Sequence, residues 1–104
     1  MITTVQLKIG SVDEIAQLFQ ETNPDLVRLE QDWVSGGMSV DRKTNKIQVS
    51  AIWKRLESYD AFSKSEAFQI VMKGFVPHFA GPPVIEKFEV LQEMMRNGME
   101  VELR

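Results

Sequence analysis

The sequence of 104 residues contains no cysteine. That absence excludes disulfides, thiol nucleophiles, iron–sulfur clusters and cysteine-ligated zinc together. Histidine occurs once, as His78, so a multi-histidine metal site cannot be built within one chain. Charge of one sign is scarce: twelve Lys and Arg against fifteen Asp and Glu leave a net charge of −3. A general nucleic-acid binder needs a basic face to release phosphate counterions, so no nucleic-acid partner is expected. No stretch approaches the roughly 20 apolar residues that cross a bilayer, so no membrane partner is expected either. The start at Met1–Thr4 lacks a basic region followed by an apolar run, and the expectation is no signal peptide and a cytoplasmic location. What is present is ordinary for a globular protein. The chain is 43% hydrophobic and 26% charged, enough for one core in a single domain over 1–104.

Hydrophobic periodicity gives the order of elements. Val5, Leu7 and Ile9 alternate with Gln6 and Lys8, which predicts a strand over about residues 3–9, ended by Gly10. Ser11-Val12-Asp13-Glu14 reads as a capping box at the start of a helix. Val12, Ile15, Leu18 and Phe19 form its apolar stripe, and the helix is expected to run to about residue 22. Asn23-Pro24 predicts a break, with a second short helical piece to about residue 31. Trp33–Asp41 and Ile47–Trp53 read as an antiparallel hairpin around the polar turn at Asp41–Lys46. Gly36-Gly37 inside the first of these strands suggests a bulge or a close backbone approach.

A helical region is expected from Glu57 to about Ala80, with Ser58 as its cap and a restart at Ser65. Gly81-Pro82-Pro83 stops it, and Val84–Val90 is the fourth strand. Asn97-Gly98 signals a turn before a terminal strand at Met99–Leu103, which either stays as edge structure or crosses to another subunit. The order β-α-β-β-α-β is the split βαβ arrangement of a ferredoxin-like α+β fold. It implies a four-stranded antiparallel sheet with both helices on one face. Val34, Met38, Val40, Ile52, Ile85 and Leu91 are then expected on a second, apolar sheet face. Such a face asks for a partner, and a homodimer is the expected one.

Strand three closes on Ile52-Trp53-Lys54, and the next helical region carries Phe62-Ser63-Lys64-Ser65-Glu66-Ala67-Phe68. With this element order, the sequence resembles the antibiotic-biosynthesis monooxygenase family, whose fold is a dimeric α/β barrel. The resemblance rests on Trp53, Phe62, Ser65 and Phe68 and covers about residues 2–92. It implies a cofactor-independent oxygenase in which an aromatic or quinol-like substrate supplies the electrons to oxygen and the pocket binds and orients it. Relatives that degrade haem carry an asparagine, a tryptophan and an iron-ligating histidine where this chain has Gln6, Phe62 and Met72. Haem degradation is therefore not expected, and neither is a cofactor or a metal.

As a group with an ordinary pKa near neutrality, His78 is the candidate general base. Gln6, Trp53, Phe62, Phe68, Met72, Phe75 and Phe79 are the candidate substrate-binding residues, lining a pocket between the second helix and the sheet. Asn23 and Arg28 are further polar side chains that such a pocket would admit. The alternative function is a non-catalytic small-ligand-binding or stress-related homodimer of the same fold.

Overall fold

The computed structural model describes residues 1–94 and 101–103. Strands β1 (Ile2–Gln6), β2 (Trp33–Asp41), β3 (Lys46–Trp53) and β4 (Val84–Glu86) form one antiparallel sheet in the order β2-β3-β1-β4. Helices α1 (Val12–Val27) and α3 (Glu66–Phe75) cover one face of it, and α2 (Leu56–Ser63) closes the end where β3 finishes. This is the expected ferredoxin-like α+β arrangement. The expected turn at Asn97-Gly98 lies outside the described residues. The described part of the terminal strand, Val101–Leu103 (β6), pairs antiparallel with Gln92–Met94 (β5).

β1 is shorter than its alternation suggests. Val5 and Leu7 are buried, but Ile9 is 93% exposed. After Leu7 the Lys8 N–H turns to the His78 carbonyl, and Gly10 takes a positive φ of 84° that a side chain would resist. The chain has left the sheet before Ile9. The capping box also fails to form. Ser11 makes no side-chain cap bond, because its hydroxyl is engaged by His78 at 3.1 Å.

α1 does not break at Asn23-Pro24; it continues to Val27 with Pro24 inside. A proline there removes one ladder bond, to the Gln20 carbonyl. The apolar stripe continues through it, and Val27 with Leu26 packs onto a second apolar cluster under β3. That burial outweighs one missing bond near the helix end. The break expected at 63–65 does form. Ser65 caps α3, accepting the Phe68 N–H at 3.2 Å and donating to the Phe62 carbonyl at 2.7 Å. α2 begins at Leu56, ahead of the expected cap Ser58. The Ser58 hydroxyl instead donates to the Asp32 carboxylate, which also accepts from Arg55 at 2.9 Å. A 3₁₀ turn at Val76–His78 holds Pro77 and ends the helical region. β4 covers only part of Val84–Val90, since its partner β1 offers Ile2–Thr4 and nothing beyond.

The glycine pair in β2 marks both features expected of it. The register slips between Trp33 and Ser35, a bulge, and a Cβ on Gly36 would sit 2.9 Å from the Ser50 carbonyl oxygen. The bulge changes which side chains share a face. Trp33 lies opposite Trp53, yet Met38 and Val40 lie opposite Val49 and Ile47 and so face the helices as well. Ile85, opposite Thr3, joins them. Met38, Val40 and Ile85 therefore do not belong to the second face, as the alternation had suggested. That face is mainly Thr4, Gln6, Ser39, Gln48 and Ser50, with Ile2 and Ile52 toward one end and Val84 on the β4 edge opposite Thr4.

Candidate functional site

β3 presents Val49, Ala51 and Trp53 toward the helices, as its alternation requires. They floor a cavity of about 780 Å³. Gly36 and Met38 of β2 extend the floor. Phe19 and Leu26 of α1 and Phe68, Met72 and Phe75 of α3 roof it. α2 supplies one end with Tyr59, Phe62 and Ser63. Rings dominate that end. Trp53 lies 5.1 Å from Phe62 and 5.9 Å from Tyr59, and Phe62 lies 5.2 Å from Phe68, all tilted or edge-on. The restart at Ser65 makes this possible. Phe62 closes α2 and Phe68 opens α3, so two rings six residues apart meet.

Six of the eight expected site residues line this cavity: Trp53, Phe62, Phe68, Met72, Phe75 and Phe79. Gln6 and His78 are not among its lining. Gln6 is exposed, and its side-chain amide donates to the carbonyls of Thr44 and Asn45, tying β1 to the hairpin turn. His78 sits at the start of α1 with its side chain 20% exposed, Nδ1 on the Ser11 hydroxyl and Nε2 3.6 Å from Glu14. Of the other polar candidates, Asn23 lines the cavity, whereas Arg28 is exposed and pairs with Asp25 at 3.6 Å.

Tyr59, Asp60 and Lys87 are among the lining residues outside the expected set. Each had a signal. Tyr59 precedes Phe62 by three, one helical turn, and is the only tyrosine. Lys87 follows Ile85 by two, and strand parity sends both the same way. Lys87 Nζ donates to Asp60 Oδ1 at 2.8 Å and sits 5.8 Å from the centre of the Tyr59 ring. The Asp60 hydrogen bond raises the Lys87 pKa. Burial raises the Tyr59 phenol, so it stays protonated at neutral pH. Its hydroxyl has no hydrogen-bond partner among the described residues. The Trp53 indole N–H is buried and likewise unpartnered. Among the described residues there is no cluster of three or more His, Asp or Glu suited to a metal ion.

No family model matches the chain, and no curated protein is similar to it. Solved structures are similar in fold. A protein from Bordetella bronchiseptica, named provisionally as an antibiotic biosynthesis monooxygenase, aligns at TM-score 0.75 and 17% identity over 86% of this chain and 94% of that one. A like-named protein from Caulobacter crescentus CB15 aligns at TM-score 0.73 and 15% identity over 82% and 81%. The chain has the fold of these proteins. A third structure, a protein of unknown function from Nitrosomonas europaea, aligns at TM-score 0.73 and 17% identity over 90% and 89%.

Proposed function

We propose that the protein is monooxygenase-like in activity as well as fold, and that its cavity takes an aromatic or quinol-like small molecule without a cofactor. The observation that carries this reading is the cavity itself. It is large enough for a two- or three-ring molecule, apolar over most of its wall, and edged by rings that stack or pack edge-on with a planar guest. The substrate supplies the electrons to oxygen. The protein binds it, orients it and excludes water. Tyr59 is the positioning group: its protonated, unpartnered hydroxyl donates to a substrate oxygen.

A second reading, ligand binding without turnover, is favoured by one observation. His78 is engaged by Ser11 and Glu14 and lines no part of the cavity. A thermal-shift panel of quinols, naphthols and haem, followed by oxygen uptake on the hits, separates the two. Stabilisation with oxygen uptake that falls in Tyr59→Phe supports the oxygenase. Stabilisation without uptake selects the binding protein. Uptake lost in His78→Ala and kept in Tyr59→Phe returns His78 to the role of base. Haem is expected to give no sharp Soret band at one per chain, since Phe62 and Met72 stand where haem-degrading relatives have tryptophan and histidine.

The homodimer belongs to this proposal too, on a changed surface. Ile2 and Ile52 lie toward one end of the outer sheet face and Val84 on its β4 edge, and Phe88 and Leu91 beyond β4 are 60% and 65% exposed. A stable dimer there should bury about 2,000 Å² or more in total. Sedimentation at micromolar concentration checks it; a well-folded monomer contradicts it.

A further inference from the structure

The cavity is mostly apolar, and the charge at one of its edges is unbalanced. Ser63 at the end of α2 and Lys64, its C-cap, stand three and four residues after Asp60, so they lie on one side of the helix, and all three line the cavity. Lys87 reaches the same edge from beyond β4 through its bond to Asp60. Two lysines therefore face one carboxylate. Lys87 spends one of its three donors on Asp60, and the Lys64 ammonium has no hydrogen bond or ion pair among the described residues. No other charged side chain lines the cavity. We infer that the guest carries an acidic group at one end of its aromatic body, a carboxylate, sulfonate or ionised hydroxyl, and that this group seats between Lys64 and Lys87.

The inference rests on the cavity being the binding site. The surroundings sharpen it. The chain carries a net charge of −3, so an anion gains nothing from the protein as a whole and must be held by this local edge. A neutral guest would leave Lys64 without a function in the site. An acidic guest fixes its own direction, with the charged end at α2 and the rings toward Phe68 and Met72. Asp60 holds Lys87 in place and, by its own charge, limits how tightly the anion binds.

Two fluorescent probes with nearly the same aromatic body test this. Anilinonaphthalene sulfonate is anionic, and N-phenyl-1-naphthylamine is neutral. Binding is read by energy transfer from tryptophan. Lys64→Met should weaken the sulfonate about three- to tenfold, as expected for a partly exposed charged contact. Lys87→Met should do the same. Asp60→Asn should strengthen it severalfold, an opposite sign that general unfolding would not produce. The neutral probe should hold its affinity in all three variants. Lys46→Met, the same charge change away from the cavity, should change neither probe. Raising salt from 20 to 300 mM should weaken only the sulfonate. Neutral-probe binding with a sulfonate indifferent to all three edge substitutions overturns the acidic-guest inference and leaves the cavity reading intact. Failure of both probes to bind, in protein shown folded by circular dichroism, overturns the cavity reading itself.

Discussion

Val5, Leu7, Val12, Ile15, Ile47 and Phe75 form one apolar cluster near the start of β3, and Val27, Tyr59 and Phe62 form another near its end. The first is aliphatic but for one ring, with Leu7 and Ile15 essentially sealed from solvent. The second is small, surrounded by half-buried Trp33, Trp53, Phe68 and Met1, and carries two unpartnered polar atoms, the Trp53 indole N–H and the Tyr59 hydroxyl. Large rings at tilted angles pack with gaps that branched aliphatics would fill. The second cluster therefore leaves room for a guest, while Leu7, Val12 and Ile15 of the first hold the fold away from the cavity and Val5, Ile47 and Phe75 join its wall.

The largest expected effect contrasts the two directly. Ile15→Ala, at a site with no solvent exposure, should cost about 2–5 kcal/mol in urea unfolding. Phe68→Ala removes a bigger side chain but from a cavity wall, and should cost less than the roughly 3 kcal/mol at which buried-ring truncations begin. It should weaken probe binding instead. Equal stability losses with unchanged binding would make the second cluster ordinary core.

The floor between the clusters gives the next test. Gly36→Ala puts a methyl group 2.9 Å from the Ser50 carbonyl oxygen, which the paired backbone cannot yield cheaply. A loss of about 1–3 kcal/mol is expected. At Gly37 an added Cβ meets nothing within 4 Å, so Gly37→Ala should stay within about 0.5 kcal/mol. Similar values for both would contradict the bulged register.

Smaller effects appear in pH profiles. The raised Tyr59 pKa means the folded state holds that proton more tightly than the unfolded chain does. Its contribution is present below the ordinary value of 10.0 and is lost as pH rises through the folded value. Tyr59→Phe should flatten this alkaline fall in stability and leave the neutral-pH fold intact. Asp32 works in the opposite direction. The Ser58 hydroxyl, then Arg55, hold its carboxyl below the ordinary 3.8. Its contribution is full above that value and disappears as pH falls through the folded one. Asp32→Asn should remove that part of the acid limb while leaving probe binding unchanged, because Asp32 braces α2 from outside the cavity.

How much of this was legible in the sequence varies with how local the cause is. The element order and the restart at Ser65 follow from spacing and capping, and the aromatic set on Trp53, Phe62 and Phe68 follows from the family resemblance. Other features needed the tertiary partner. Pro24 stays inside α1 because Leu26 and Val27 have a cluster to enter, which no local signal reports. Ser11 fails as a capping box because His78, 67 residues away, reaches its hydroxyl first. The glycines signal the bulge between Trp33 and Ser35 but not its consequence. It carries Met38 and Val40 to the helix side and leaves the outer face far more polar than the alternation implied. Tyr59 and Lys87 are hidden in the sequence for a different reason. Each reads as an ordinary helix or strand position until α2 and the segment after β4 close on the same edge.

Nuclear magnetic resonance during titration with a naphthol tests the division of labour between the two clusters most directly. The account predicts saturable shifts at Ala51, Met72, Phe68 and Tyr59, with Val12 and Ile15 unmoved. Shifts confined to the exposed residues Phe88 and Leu91, or equally large at Leu7, Val12 and Ile15, would contradict it.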